Sequence, residues 1–309
     1  MLTRRSLLTG FAAASATRLP VSAAATGNRP DVLVIGAGLS GLYSALLLED
    51  AGARVKVLEG RNRIGGRLYT LFDLPGHPEV GGNTIASGYG RVIDTARRLD
   101  VELIDYAPRL FSGPPPELVL AGELIRAADW PRSPRNPFPE AHRALLPWQL
   151  VGQRLAGTNP LEASTDWLAA EHAALDQPLD QYFLAKGLSE PDIRLGYDTN
   201  PYFGDTAASV SALMYLFNQR WIDEQRSIGR AAYAVAGGTQ RLPLAMAAAL
   251  NEEVRADHEV AAIEVMPDRV RVRLRDGSTI DAGQVICSLP VSKLRDVDIQ
   301  PRVSGPQAR

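Results

Sequence analysis

The 309-residue sequence has little cysteine, little histidine and no excess of positive charge. Its single cysteine, Cys287, excludes a disulfide bond within the chain, and the apolar run around it predicts that it is buried. The four histidines lack the spacing of metal ligands, and no HExxH or paired CxxC motif occurs, so we predict no metal site. The formal net charge is −2 and no basic stripe is present, so we expect no nucleic-acid partner.

Long apolar runs are also missing. The apolar stretch near the N-terminus is too short to span a bilayer, so we expect no membrane span. Arg4 and Arg5 precede small and apolar residues, and Ala23–Ala25 offers a cleavage site. This pattern resembles a twin-arginine signal peptide over residues 1–25 and predicts export to the periplasm or the extracellular space. The alternative is an unstructured N-terminal tail.

The most informative pattern that is present lies in residues 31–67. An apolar strand pattern, Asp31–Ile35, is followed at once by Gly36-Ala-Gly38-Leu-Ser-Gly41, where a helix begins. A second strand pattern ends at Glu59, 23 residues after Gly36. The helix N-terminus suits a pyrophosphate, and the carboxylate suits a ribose diol. Glycines of an ordinary turn are the alternative, but strand, helix, second strand and acid together favour dinucleotide binding.

A second group of motifs carries a family resemblance. The segments GAGLSGL, LEGRNRIGGR and Glu79-Val-Gly81-Gly82 resemble the N-terminal signature of flavin-containing amine oxidases, which include monoamine, polyamine and L-amino-acid oxidases. The segment Gly237–Pro243 is similar to the stretch that returns such chains to the FAD domain. The resemblance implies an α/β fold: a Rossmann-like FAD-binding domain of the GR2 type with an inserted, mainly helical substrate domain.

The resemblance implies FAD as the cofactor, non-covalently bound, because Cys287 lies in the wrong segment to tether a flavin. The resemblance does not identify a catalytic residue in this sequence. The residues expected to bind the cofactor are Gly36, Gly38, Leu39, Ser40, Gly41, Glu59, Gly60, Arg61, Gly65, Gly66, Arg67, Gly81, Gly82, Asn83, Thr84 and Val260. Arg63 and Arg67 are expected to offer guanidinium groups to the same ligand. The backbone of Val260, in a predicted β-meander, is expected to meet the adenine; a meander without a ligand is the alternative.

The domain boundaries follow from the motifs. We predict the FAD-binding domain at residues 30–105 and 236–309, and the substrate domain at 106–235. The proline-rich stretch 107–147 predicts loop over the surface, and helical patterns begin at Ser164. Of the aromatic residues late in the insert, Phe217 and Trp221 are expected in the core, whereas Tyr197, Tyr202 and Phe203 suit either the core or a cavity wall.

The chemistry implied by the resemblance is oxidation of a C–N bond of a small-molecule amine, with dioxygen as acceptor and release of hydrogen peroxide. Thr84 stands where amino-acid oxidases carry a carboxylate-reading arginine, which favours amines without a carboxylate unless Arg91 substitutes. Family members continue beyond the point where this sequence stops, so we expect the C-terminal part of the fold to be missing and a complementing chain or segment to be required. The alternatives are a non-catalytic nucleotide-binding remnant, and an FAD-dependent desaturase or isomerase.

Overall fold

The structure is a computed structural model that describes residues 29–110, 112–113, 117–201 and 203–302. The predicted signal peptide at residues 1–25 and the aromatic residue Tyr202 lie outside the described residues.

Short strands and helices alternate along the chain. The strands are β1 (Val32–Ile35), β2 (Val55–Leu58), β3 (Ile85–Ala86), β4 (Leu103–Asp105), β5 (Leu118–Leu120), β6 (Glu123–Ile125), β7 (Ala232–Val235), β8 (Val260–Val265), β9 (Val270–Leu274), β10 (Thr279–Ala282), β11 (Gln284–Cys287) and β12 (Asp298–Gln300). The helices are α1 (Leu39–Asp50), α2 (Gly90–Arg98), α3 (Ala107–Leu110), α4 (Pro147–Arg154), α5 (Leu179–Ala185), α6 (Glu190–Ile193), α7 (Ala212–Ile228), α8 (Arg241–Ala248) and α9 (Val291–Leu294).

The chain divides into two compact units. The first unit comprises residues up to Asn83, residues 95–102 and residues from Val235 onward, and the second comprises 84–94 and 103–234. The chain therefore leaves the first unit and returns to it, as it does in a fold with an inserted domain. Residues 84–94 and 103–105 lie in the second unit, whereas the sequence motifs predicted that they belong to the FAD-binding domain.

The first unit contains a parallel sheet of order β11-β1-β2, in which β1 pairs with both neighbours. Strand β1 is buried along its whole length, because it lies between two strands and carries only apolar side chains. Helix α1 follows β1 after the glycine turn and ends before Gly52, which has a φ of +88°. This strand–turn–helix order places the α1 N-terminus at the carboxyl end of β1, where α/β sheets bind their ligands.

A second sheet of the first unit has the order β10-β9-β8-β12. Strands β8, β9 and β10 form the predicted antiparallel meander, with Gly277 at a positive φ in the turn between β9 and β10. After β10 the chain leaves this sheet, and β11 pairs with β1 in the parallel sheet. Apolar side chains of both sheets form one core cluster, which contains Leu33, Leu58, Val260 and Val272.

The second unit is built mainly from helices. Its principal core cluster gathers side chains of α5, of α7 and of the π-helical turn Arg194–Asp198 that follows α6, including Phe183, Tyr215 and Tyr197. Tyr197 is therefore a core residue, and Phe217 packs against the same cluster, as predicted. Trp221 is half-buried and its ring lies 5.7 Å from that of Tyr89. Phe203 is exposed.

The proline-rich segment packs a core of its own. As predicted, its described residues form only short elements, such as β5, β6 and single turns of 3-10 helix. The prediction of surface loop is wrong, because Trp130 and Phe138 are completely or almost completely buried and pack edge to face, with ring centroids 5.8 Å apart. Prolines exclude long helices and strands but do not exclude burial of the aromatic residues between them.

Three further observations bear on the composition. Cys287 is exposed, so its predicted burial is wrong; it ends β11, which is an edge strand of the parallel sheet. In the described part of the chain, no helix combines the length and the apolar character needed to cross a bilayer. Within the same residues, no group of three or more histidine, cysteine or carboxylate side chains is placed to hold a metal ion.

Candidate cofactor site

The predicted phosphate-binding turn lies between β1 and α1. Gly36 has a φ of +104°, a conformation that side-chain-bearing residues rarely adopt, and its N–H donates to the carbonyl of Leu58 at 2.7 Å. A side chain on Gly41 would collide with the Gly36 carbonyl, so α1 starts directly on the turn. The two glycines therefore fix the turn through backbone packing.

The first turn of α1 presents backbone amides without a side-chain cap. Gly38 is the N-cap residue, and no side chain among the described residues caps the helix there. The following residues, Leu39, Ser40 and Gly41, form the first helical turn, whose N–H groups have no partner within the helix. Such an N-terminus carries partial positive charge and suits an anion such as a pyrophosphate.

The carboxylate of Glu59 lies beside this turn. Its Oε2 accepts a hydrogen bond from the Ala37 N–H at 2.9 Å, and its Oε1 accepts one from the Arg61 N–H at 3.1 Å. A carboxylate has about four acceptor positions, so these two bonds leave acceptor capacity for ribose hydroxyl groups. Glu59 is thus held at the turn and retains the chemistry that a diol requires.

The segment Arg63–Arg67 packs against the glycine turn. The N–H of Gly65 donates to the carbonyl of Ala37 at 2.9 Å, and a Cβ added to Gly66 would lie 3.2 Å from the Gly38 Cα. Both Gly65 and Gly66 have positive φ, at +122° and +60°. Backbone from two motifs therefore meets without intervening side chains, which leaves a surface of main chain that a phosphate can approach.

The two arginines of this segment have different roles. The Arg63 guanidinium donates to the carbonyls of Gly66 and Leu68 at 2.9 and 3.2 Å, and it lies over the Tyr69 ring at 4.3 Å. These contacts hold the loop and use two of the five N–H donors of the guanidinium, so its contact with a ligand stays a prediction. The Arg67 side chain is exposed. Arg61 is exposed too, and Gly60 packs on the backbone of Glu259.

The second glycine pair supports the loop from the other side. The N–H of Gly82 donates to the Arg67 carbonyl at 3.1 Å, and a side chain on Gly81 would collide with that carbonyl. The chain then passes through Asn83 to Thr84, which begins the second unit. There the Thr84 hydroxyl forms a short hydrogen bond with the Tyr106 hydroxyl. Gly81 and Gly82 thus join the candidate site, whereas Thr84 belongs to the neighbouring unit.

Val260 lies in the core beside the candidate site. Its side chain is buried in the same cluster as Leu58, at the start of β8. Just before it, the chain runs beside the end of β2: the Glu59 N–H donates to the Arg255 carbonyl at 2.9 Å, and the His258 N–H donates to the Glu59 carbonyl at 2.8 Å. The backbone leading to Val260 therefore lies next to Glu59. The contact of Val260 with adenine stays a prediction.

Sequence patterns missed several residues that shape this site. Ser288 donates its hydroxyl to the carbonyls of Ile35 and Gly36, at 2.9 and 3.1 Å, and so holds the turn. Thr70, Glu79 and Gln240 form a polar cluster behind the Gly65–Gly66 loop. The only signal for Thr70, Glu79 and Gln240 in the sequence is a polar side chain near a glycine-rich motif, which does not reveal its partner, and Ser288 follows an apolar strand without even that signal.

An ion pair ties together the starts of the two strands that carry the site. The Arg54 guanidinium and backbone N–H donate to the Asp31 carboxylate at 2.8 and 2.9 Å. The side-chain hydrogen bond from Arg54 holds the pKa of Asp31 below its ordinary value. Asp31 precedes β1 and Arg54 precedes β2, so the pair stabilises the strand register on which the turn depends.

Comparison with known proteins agrees with this geometry. The family model described as "Flavin containing amine oxidoreductase" matches residues 39–309. The flavin-dependent L-tryptophan oxidase RebO of Lentzea aerocolonigenes is 26% identical over 291 residues, which cover 86% of this chain and 59% of that protein. The match confirms the resemblance that the glycine motifs indicated, and with it a flavin as the cofactor of the family.

Solved structures show the same fold. Cyclohexylamine oxidase from Brevibacterium oxydans has a TM-score of 0.69 at 23% identity, covering 91% of this chain and 62% of its own. Wild-type putrescine oxidase bound to putrescine has a TM-score of 0.67 at 22% identity, with the same coverage of 91% and 62%. The predicted α/β fold class is thereby confirmed. The chain spans about three fifths of the length of these relatives.

Proposed function

The chain belongs to the family of flavin-containing amine oxidoreductases, and we propose on that basis that it binds FAD non-covalently and takes part in the oxidation of an amine. The observation that carries this proposal is the meeting of two glycine motifs beside a fixed carboxylate. The backbone of Gly38 lies against that of Gly66, and Glu59 stands next to the same turn.

In this proposal the chain's own residues hold the cofactor in three ways. The first turn of α1, from Leu39 to Gly41, donates backbone N–H groups to the pyrophosphate. Glu59 accepts hydrogen bonds from the adenosine ribose, and its negative charge disfavours a 2′-phosphate. The Gly65–Gly66 backbone and the exposed Arg67 side chain face the part of the ligand beyond the first turn.

The bound flavin would supply the redox chemistry: the amine would lose two electrons and two protons, one proton from its α-carbon and one from its nitrogen, and dioxygen would take up both electrons and both protons. The organic product is an imine, which water hydrolyses to a carbonyl compound and an amine or ammonia, and the reduced product is hydrogen peroxide. The protein residues of this chain bind and orient the cofactor; we assign none of them to the chemical step.

We place the substrate among small amines without a carboxylate. Thr84 supports this choice, because its hydroxyl is bonded to Tyr106 and a threonine cannot form a bidentate ion pair with a carboxylate. The similar solved structures are a putrescine oxidase and a cyclohexylamine oxidase. The similar L-tryptophan oxidase acts, by its name, on an amino acid, which makes amino acids the comparison class in a substrate test.

Purified protein tests these proposals. We expect a flavin absorbance spectrum, release of FAD into the supernatant on acid precipitation and, in a form that spans the full length of its relatives, amine-dependent hydrogen peroxide with primary amines and diamines above that with amino acids. Flavin that stays with the precipitated polypeptide contradicts non-covalent binding. Apoprotein that does not bind added FAD contradicts the cofactor assignment. An FAD-bound form of the full length that gives no amine-dependent peroxide favours a nucleotide-binding remnant or a desaturase or isomerase.

We also propose export by the twin-arginine route, on the strength of Arg4 and Arg5 before the apolar stretch. This route accepts folded, cofactor-loaded proteins, which suits a flavoprotein. Replacing both arginines by lysine keeps the charge and removes the recognised pair, so the protein should then stay in the cytoplasmic fraction. Unchanged export of that double variant would argue against this route.

A further inference from the structure

Three glycine-containing segments of the first unit meet at one polar cluster behind the predicted cofactor loop. The cluster consists of Thr70, Glu79, Thr239 and Gln240, of which all but Glu79 are buried. These residues come from the segments that follow RIGGR, precede Gly81-Gly82 and follow Gly237-Gly238. We call this group the Thr70–Gln240 cluster. Buried polar groups need satisfied hydrogen bonds, so such a cluster fixes the geometry of the segments it joins.

Gln240 makes the bonds that connect the cluster to the loop. Its side-chain Oε1 accepts from the Thr70 N–H at 3.1 Å, and its backbone N–H donates to the Thr70 hydroxyl at 3.1 Å. Its side-chain Nε2 donates to the Ile64 carbonyl at 2.6 Å. One side chain thus spans both ends of the loop that contains Gly65 and Gly66.

Glu79 completes the hydrogen bonds of the cluster. Its carboxylate accepts from the Thr70 hydroxyl at 3.0 Å and from the Thr239 N–H at 2.6 Å. The negative charge lies just before the N-terminus of α8, where it is favoured by the helix dipole. Close packing accompanies these bonds, since a Cβ on Gly238 would lie 2.5 Å from the Thr70 Cγ2.

The loop that this cluster holds is in a conformation that needs support. Gly65 and Gly66 both have positive φ, and the chain must enter them in a fixed direction for the Gly65 N–H to reach the Ala37 carbonyl at 2.9 Å. Gln240 binds the carbonyl of Ile64, the residue directly before Gly65. A local conformation of this kind persists where surrounding contacts over-determine it.

We propose that Thr70 and Gln240 are positioning residues for the cofactor: their buried hydrogen bonds hold the Gly65–Gly66 loop against the Gly38 turn and so set the affinity for FAD. This inference rests on the proposed FAD site. Neither side chain needs to touch the ligand. The physical basis of the expected effect on affinity is pre-organisation, because a loop that is already fixed loses less conformational freedom when the ligand binds.

A purely structural role for the same cluster would be to cap α8. The bonds from Thr239 and Thr70 to Glu79 are sufficient for that role, whereas the bond from Gln240 to Ile64 serves only the loop. Gln240→Glu separates the two roles. The variant keeps an oxygen for the Thr70 N–H but replaces the donor to the Ile64 carbonyl by a second acceptor.

The test is a titration of apoprotein with FAD, in which quenching of the flavin fluorescence reports binding. The melting temperature of each apoprotein and the hydrogen exchange of the segment 64–68 are measured alongside. We expect Gln240→Glu and Thr70→Val to raise the FAD Kd roughly tenfold and to speed exchange in that segment, as expected for the loss of buried hydrogen bonds. Thr70→Ser keeps the hydroxyl and should restore the wild-type Kd.

Asn136→Leu is the matched control, because this buried amide makes comparable hydrogen bonds to Trp130 and Arg143 in the second unit. It should lower the melting temperature and leave the FAD Kd unchanged. If wild-type apoprotein does not bind FAD, the proposed function fails. If it binds FAD and both Gln240→Glu and Thr70→Val keep the wild-type Kd, the inference is overturned. Should Gln240→Glu not fold, Thr70→Val against Thr70→Ser decides by the same criterion.

Discussion

The hydroxyl of Ser288 occupies the space that a side chain on Gly36 would need, because a Cβ added to Gly36 would be only 2.7 Å from the Ser288 Oγ. The two residues are 252 positions apart in the sequence, and the Ser288 hydroxyl donates to the Gly36 carbonyl at 3.1 Å. The predicted phosphate-binding turn is therefore closed by the segment that follows β11. Two separate constraints act on Gly36, its positive φ and the lack of space beside it.

Gly36→Ala should destabilise the protein through both constraints. The φ of +104° is unfavourable for alanine, which costs on the order of 1–3 kcal/mol, and the clash with Ser288 adds to it. Adding Ser288→Ala in the same chain should recover the steric part and leave the backbone part. Urea unfolding of the two single variants and the double variant measures this coupling. A Gly36→Ala protein as stable as the wild type would contradict the structure of the turn.

Glu59→Ala should weaken FAD binding by about 1.5–3 kcal/mol, the range for hydrogen bonds to a charged group. Glu59→Gln should cost less, because one acceptor oxygen remains. The structure adds a second effect, since the carboxylate also accepts from the Ala37 and Arg61 N–H groups, so Glu59→Ala should lower the stability of the apoprotein as well.

FAD titration and apoprotein melting separate these two effects of Glu59. Glu252→Ala is a suitable control, because Glu252 is an exposed carboxylate that pairs with Lys56 at 3.4 Å, and its loss should leave the FAD Kd unchanged. If Glu59→Ala lowers only the melting temperature and keeps the wild-type Kd, the carboxylate supports the turn but does not bind the ribose.

Local patterns predicted the turn and its helix because every part of them is contiguous in sequence. The interval from β1 through Gly36 to Glu59 fixes a strand, a turn, a helix and a second strand by itself. The partners of this turn could not be predicted in the same way. Ser288 and Gln240 act on it from 252 and 176 residues away, and nothing near them in sequence identifies the carbonyls they bind.

Arg63 shows a different limit of sequence reasoning. A guanidinium beside glycines is typical of an anion site, and that pattern predicted a ligand contact. In the structure the guanidinium also satisfies the carbonyls of Gly66 and Leu68, which a loop with two positive-φ glycines leaves without regular partners. Residue type indicated the chemistry of the group correctly but not which acceptor it uses.

The pair Asp31–Arg54 predicts a pH-dependent contribution to stability. The hydrogen bond from Arg54 lowers the pKa of Asp31 from its ordinary value of 3.8, so the folded protein favours the ionised carboxylate. The stabilisation is complete above the pKa of the unfolded chain and is lost as the pH falls through the lower pKa of the folded state. The contribution is small, because both side chains are partly exposed.

Asp31→Asn should therefore lower the urea midpoint at neutral pH, and the difference from the wild type should shrink as the pH falls below 3.8. Asp73→Asn, which changes an exposed carboxylate in the loop before His77, serves as the control and should show little difference at any pH. A difference between Asp31→Asn and the wild type that stays constant down to the acid transition would mean that the effect does not come from the ionised carboxylate.

The last prediction concerns Trp130 in the proline-rich segment. Its side chain is fully buried, packs against Phe138, and donates its ring N–H to the Leu145 carbonyl at 2.7 Å. Trp130→Ala removes this packing and should destabilise the protein by about 3–5 kcal/mol. Trp130→Phe keeps most of the apolar volume but removes the donor to the partly buried Leu145 carbonyl, so it should cost about 0.5–1.5 kcal/mol.

Trp148→Ala is the matched control for Trp130, because the same residue type is 43% exposed at the start of α4. It should change stability by much less than Trp130→Ala, since most of the lost surface was never removed from water. Urea unfolding followed by circular dichroism measures all three variants. If Trp130→Ala and Trp148→Ala had equal effects, the segment 107–147 would not pack around Trp130, and the surface-loop interpretation of the prolines would be restored.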